Sequence, residues 1–425
     1  MKYRAYTLKT FKKIPQISNL SDEQIFDIEV VGEVLPFKAN NYVVDELINW
    51  DKFENDPIFI LTFPQKDMLS AEHYNRMAEL VRSGASRPEI TKAANQIRME
   101  LNPNPAGQVH NVPELNGEKL VGIQHKYDET MLFFPSQGQT CHAYCTFCFR
   151  WPQFTGIDEL KFAMKQVDLI IEYLRQNPSI TDLLFTGGDP MVMKSKVFEQ
   201  YIDAIIAADI PNLKTIRIGT KTLAYWPYRY TSDDDAGQLL DVFKKIHDNG
   251  LNLSVMAHFN HINEMSSQAV EQAVKNIRAT GAVIRTQSPL MKHLNFDADM
   301  WARMWRKQVD WGMIPYYMFI ARETGAQEYF AVTLEEAWNI FRRAYSQVSG
   351  VCRTVRGPSM SANPGKVQVS GISEINGEKV YVLNFIQGRN SDWVGRPFFA
   401  KYDPKALWLD DLKPAFADKF FYEEA

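Results

Sequence analysis

Cysteine is scarce in this chain, with 4 in 425 residues, so a disulfide-stapled scaffold is excluded. Long apolar runs are missing too. None reaches the roughly 18 residues of a spanning helix. Neither sign of charge dominates: 47 basic and 51 acidic residues leave a net charge of −4, which gives no basic surface for nucleic acid or anionic lipid. The first residues, MKYRAYTLKTFKKIPQ, are basic but carry no apolar core of a secretory signal, so a cytoplasmic location is expected. Low-complexity tracts are absent. What is present is 45% hydrophobic residues and 12% aromatics, enough for a large core and at least two domains, or one barrel with extensions.

The few cysteines are not scattered. Three fall within eight residues, Cys141-His-Ala-Tyr-Cys145-Thr-Phe-Cys148, where chance would give about 3 such clusters in 10,000 chains of this composition. Zinc usually takes four ligands as two pairs, but the fourth cysteine, Cys352, is distant and His142 lies awkwardly inside the loop. Three thiolates suit an iron–sulfur cluster with one iron left open to bind something else. Three buried thiols without metal and a simple zinc or electron-transfer protein are the alternatives.

The middle of the chain alternates short apolar runs with helical patterns. Expected strands lie at 131–135, 183–186, 215–218, 253–257, 283–286 and 315–319. Expected helices lie near 159–176, 196–208, 236–249, 265–280, 297–311 and 334–347. This repeat predicts an α/β fold, a parallel (β/α)6 partial barrel over 121–330. A mainly helical extension occupies 1–120, with helices at 71–83 and 87–100 and a proline-rich joint at 101–105. A closing segment with short strands occupies 331–425.

The C-x₃-C-x₂-C loop following a strand resembles that of the radical S-adenosylmethionine (SAM) superfamily. There a [4Fe–4S] cluster binds SAM at its open iron and reductively cleaves it. Gly187-Gly-Asp-Pro190 by itself reads as a turn, but after such a loop it resembles the glycine motif that approaches SAM. Further stretches narrow the resemblance to lysine 2,3-aminomutases: His125-Lys-Tyr127, Cys148-Phe-Arg150, Ile216-Arg-Ile-Gly219, His258-Phe-Asn-His261 with Asn263-Glu264, Thr286-Gln-Ser288, Pro315-Tyr-Tyr317, and Ser349-Gly350 followed by Lys366.

The resemblance implies an isomerase that moves an α-amino group to the β-carbon. Cys141, Cys145 and Cys148 would hold the cluster. Gly187, Gly188, Asp189, Arg217, His258 and Gln287 would surround SAM. Lys366, on the loop containing Asn363-Pro-Gly365, would form a Schiff base with pyridoxal 5′-phosphate (PLP), with Lys126 and Tyr127 beside it. The family's phosphate-contacting arginines are replaced by Lys126 and Thr130, with Arg353 or Arg356 as candidates to compensate. Arg150 would clamp the substrate α-carboxylate.

Two aspartates that embrace the distal ammonium in lysine enzymes correspond to Arg322 and Ser359, which points to an acidic, glutamate-like substrate. The family's zinc-binding C-terminal cysteines are missing from 393–425, so any homo-oligomer would form differently. A flavodoxin- or ferredoxin-type electron donor is implied; nucleic-acid and membrane partners are not expected. A radical SAM enzyme without PLP, acting on an amino acid or peptide, is the alternative within the same superfamily.

Overall fold

The computed structural model describes residues 1–102, 109–157 and 162–423. Part of the joint expected at 101–105 and the start of the helix expected near 159 lie outside the described residues.

One eleven-stranded sheet organises the molecule. Its strands, in order across the sheet, are β1 (Ile123–Tyr127), β2 (Thr130–Phe133), β3 (Asp182–Phe185), β4 (Thr215–Thr220), β5 (Asn252–His258), β6 (Val283–Leu290), β7 (Ile314–Ile320), β8 (Arg356–Ser361), β9 (Gly365–Ile375), β10 (Glu378–Gly388) and β11 (Pro397–Lys401). Strands β2 to β8 pair in parallel, each with the next. At the edges, β1 and the meander β9–β11 run antiparallel.

Helices Val167–Gln176, Ser195–Ala207, Ala236–Asp248, Gln268–Ala279, Ala298–Asp310 and Leu334–Ser346 form the crossovers. Each lays an apolar stripe on the sheet. In Ala298–Asp310 that stripe is Met300, Trp301, Met304 and Trp305, all buried. Asp297 and Thr333 cap two of these helices by accepting amide hydrogen bonds from the first turn.

All six expected strands are present, and β8 adds a seventh parallel member. Its sequence, RGPSMS, carries no apolar run, which is why period reading passed over it. The first crossover helix begins at Val167 rather than near 159, and Phe162 packs against Phe134 outside it.

The sheet is rolled. Strands lie about 4.8 Å apart, so seven steps from β1 to β8 would span about 34 Å if flat. Yet Lys126 on β1 donates to the Ala362 carbonyl just after β8 at 2.6 Å. Side chains, not ladder hydrogen bonds, close this curl, because β1 and β8 do not pair.

The N-terminal extension contains helices Asp22–Val34, Ala71–Arg82 and Arg87–Glu100 and packs against the cysteine loop. Lys38 donates to the Cys141 carbonyl at 2.6 Å, and Tyr3 and Asn40 donate to the His142 carbonyl at 2.8 and 3.2 Å. The amides of Tyr144 and Thr146 donate to Lys38 and Leu61 carbonyls. No helix among the described residues is long and apolar enough to cross a membrane.

Candidate active site

The loop from Ser136 to Arg150 leaves the C-terminal end of β2, the edge where a parallel βα sheet gathers its chemistry. Cys141, Cys145 and Cys148 are free and half-buried on it. Burial raises all three thiol pKa values, Cys145 to about 12 and Cys148 to about 11. Thiols so placed become ligands only when metal replaces their protons.

A donor faces one of the sulfurs: the Tyr225 hydroxyl lies 3.4 Å from Cys145 Sγ. Among the described residues, no three His, Cys, Asp or Glu side chains converge on a single-ion site. A cubane asks for a wider spread, since each thiolate binds its own iron. His142 is turned away into the core. Its Nδ1 lies 3.0 Å from Thr222 Oγ1, its ring stacks on Trp226, and burial depresses its pKa to about 3. Cys352 sits elsewhere, beneath the Ser349 hydroxyl. The donor set thus fits a three-thiolate cluster.

The glycine turn is built against this loop. A Cβ on Gly188 would come 2.5 Å from the Thr140 carbonyl oxygen, and the Asp189 amide donates to that same oxygen at 2.7 Å. Gly187, at φ +130°, has the Gln139 side chain where a Cβ would stand. Gln139 Oε1 is buried without a partner, an acceptor available to an ammonium such as that of SAM. Gln287 on β6 makes no side-chain hydrogen bond among the described residues. His258, in register with it on β5, lies edge-on to Phe147 inside the cysteine loop. Gln139 Oε1 and the Gln287 side chain thus leave polar groups that fit a cofactor carrying an amino group.

Two residues of this group are placed away from the opening. Asp189 does not face the opening: it is 3% exposed, and its carboxylate accepts from Thr220 Oγ1, Thr222 Oγ1 and the amides of Met191 and Lys221. It ties the turn after β3 to the end of β4. Arg217 also stands apart. Because β4 runs on to Thr220, Arg217 lies mid-strand, and Asp182 at the foot of β3 holds it with bonds of 2.8 and 2.6 Å.

Lys366 lies within the curl with Arg217. Its ammonium is 3.0 Å from Gln387 Oε1 and 4.6 Å from the Tyr317 ring centroid, with the Tyr127 ring at 5.9 Å. Burial, then Arg217, Arg356 and Lys126, depress its pKa to about 7. Lys126 is brought to about 7 as well, by burial and by Arg389 and Arg322. Arg356 stacks over Tyr316 and Tyr317 at 4.2 and 4.4 Å and has no hydrogen-bonded acceptor among the described residues. Arg353 instead binds carbonyls of its own helix end. A buried amine of lowered pKa beside Arg356, a cation without a hydrogen-bonded acceptor among the described residues, fits an aldehyde cofactor carrying a phosphate.

Lys366 stands at the start of β9 rather than on a loop. A Cβ on Gly365 would lie 2.3 Å from the Gln387 carbonyl, so Gly365 lets β10 approach closely.

Arg150 and Arg322 link the two regions. Both guanidinium groups lie over Phe149, at 5.0 and 5.5 Å, and Arg150 also covers Phe134. Burial and Arg322 lower the Arg150 pKa to about 10, and its NH1 is buried without a partner. Arg322 makes a loose ion pair with Glu323, at 3.9 Å. Ser359 is fully buried, its hydroxyl turned to the Met318 carbonyl.

Sequence reasoning missed Asp182, Gln387, Phe149, Lys221 and Tyr225. Only Asp182 left a local signal, a charge opening an otherwise apolar strand, DLLF.

A three-cysteine loop at the C-terminal edge of a rolled parallel βα sheet resembles the arrangement of radical SAM proteins. No protein-family model matches the chain. Among curated proteins, one from Aquifex aeolicus named "Putative L-lysine 2,3-aminomutase" is 28% identical over 97% of this chain and 96% of its own length. The L-lysine 2,3-aminomutase of Clostridium subterminale is 26% identical over 62% of this chain and 60% of that one. Over almost its whole length the chain is thus similar to a protein named as a lysine 2,3-aminomutase, and over part of it to the clostridial enzyme. Among solved structures, SuiB of Streptococcus suis aligns with 64% of this chain and 56% of its own at 12% identity, with a TM-score of 0.35.

Proposed function

We propose that this protein is a radical SAM, PLP-dependent 2,3-aminomutase whose substrate carries an anionic or acceptor-rich side chain. The observation behind this reading is a continuous row of groups: Cys148, Arg150, Arg322, Lys126 with Tyr127, and Lys366. Each is close enough to perturb the next, by contact or by charge. When bound, the cluster with SAM would supply a 5′-deoxyadenosyl radical, and PLP would supply the π-system that eases amine migration.

The chain's own residues divide the remaining work. Arg150 offers a bidentate clamp to an α-carboxylate within reach of the radical source. Lys366 presents an amine about half unprotonated near pH 7. Arg356 offers a cation to a phosphate, and a phosphate there would favour the charged form of Lys126 as well. Phe134 and Phe149 exclude water around the guanidinium groups, which strengthens every charge interaction there.

Arg322 carries the substrate class. Two guanidinium groups over one phenyl ring repel each other unless an anion lies between them. Glu323 is too loosely placed to serve. A second carboxylate on the substrate would, and a lysine ammonium would be repelled. Anaerobic turnover of a panel of α-amino acids, with β-amino products read by mass, tests this. Glutamate or another acceptor-bearing amino acid should be converted best; preferential conversion of lysine would overturn the specificity while leaving the aminomutase reading standing.

A further inference from the structure

The short helix Thr222–Tyr225 follows β4 directly and places a side chain that the reaction outlined above does not use. Tyr225 is 1% exposed, and Cys145 Sγ, at 3.4 Å, is the only hydrogen-bonding partner of its hydroxyl among the described residues. Its backbone is fixed as well, since Asn40 Nδ2 donates to its carbonyl at 3.0 Å. Beneath the ring, 4.5 Å from its centroid, lies the ammonium of Lys221. That ammonium is bound by Asn260 Oδ1 at 2.7 Å and by Glu264. Glu264 is completely buried, and its second oxygen accepts from the amides of Asn260 and His261.

These contacts bear on electron affinity. A ligating sulfur is a thiolate, a stronger acceptor than a thiol, so the Tyr225 O–H is the donor in this pair. A hydrogen bond to a ligand sulfur draws charge from the irons and favours the reduced, more negative cluster. The Lys221 cation acts in the same direction through space, and Glu264 opposes it. Neither charge can be screened by water at this depth.

We propose that Tyr225, with the Lys221–Glu264 pair behind it, sets the reduction potential of the cluster held by Cys141, Cys145 and Cys148. Tyr225 is a positioning residue that acts through the Cys145 sulfur. The inference rests on those three cysteines holding the cluster and on nothing about PLP or substrate.

The test is an anaerobic redox titration of the reconstituted full chain, read by electron paramagnetic resonance, for the unmodified protein, Tyr225→Phe and Glu264→Gln. Tyr225→Phe should keep its iron, move the midpoint to more negative potential and lose a solvent-exchangeable proton coupled to the cluster. Glu264→Gln should move the midpoint the opposite way, because it removes an anion and keeps the shape. Iron-loaded Tyr225→Phe with an unchanged midpoint overturns the proposal. If Tyr225→Phe fails to retain iron, Glu264→Gln decides: a midpoint that stays put or turns more negative overturns it. Absence of iron from the unmodified protein would instead remove the cluster reading itself.

Discussion

Lys366 and its neighbours give the most direct residue-scale prediction. Arg217, Arg356 and Lys126 face its ammonium, and the Asp182 carboxylate opposes them. Its pKa of about 7 against an ordinary 10.5 means that the unfolded chain binds a proton the folded one lacks between those values. Its contribution to stability therefore rises with pH from about 7 to 10.5 and is lost as pH falls back through that window. In protein free of PLP, reductive trapping of an aldehyde on Lys366, located by peptide mass, should be half-maximal near pH 7. Surface lysines should need pH near 10. Lys366→Ala should remove the aldimine absorbance that the unmodified protein keeps once unbound PLP has been washed away. At the other end of the row, Arg322→Gln should lower kcat/KM for the native substrate about 100-fold, equivalent to roughly 3 kcal/mol for a broken buried ion pair. Steady-state kinetics at several substrate concentrations would check it. Arg150 and Arg322 were visible in the sequence because they follow recognisable neighbours at fixed offsets. Tyr225 and Lys221 were not, because what gives them meaning is contact with residues 80 and 43 positions away.

At the scale of elements, the close approaches around glycine decide more than loop flexibility does. Gly188→Ala would drive a methyl group into the Thr140 backbone, which has no free side chain to move aside. We expect the cysteine loop to shift and iron per chain to fall sharply, with far-ultraviolet circular dichroism preserved. Gly365→Ala should instead strain the β9–β10 pairing and destabilise by about 1–3 kcal/mol, read as a lower midpoint in denaturant. The parallel strands and crossover helices were legible because burial on one or both faces imposes a period on the sequence. Strand β8 was not, because its place is fixed by pairing with β7 and β9 rather than by its own polar residues. Asp189 misled for a related reason. Its neighbours announce a turn, but only the folded end of β4 supplies the hydroxyls and amides that draw it inward.

At the scale of the molecule, residues 415–422 pack on the chain's own sheet. Phe420, Phe421 and Tyr422 meet Phe385 and Phe398 on β10 and β11, and the Ala415 amide donates to the Phe399 carbonyl. Deleting residues from 414 onward should expose that aromatic face and the β11 edge. Aggregation on light scattering and a fall in thermal midpoint are the expected results. The contacts from Tyr3, Lys38 and Asn40 to the cysteine loop have a consequence for biosynthesis. These residues leave the ribosome some 100 positions ahead of Cys141, a lead of about 5–20 s at ordinary elongation rates. The docking surface thus waits for the loop, and an iron–sulfur scaffold that delivers its cargo during synthesis would meet cysteines already being drawn against a partner.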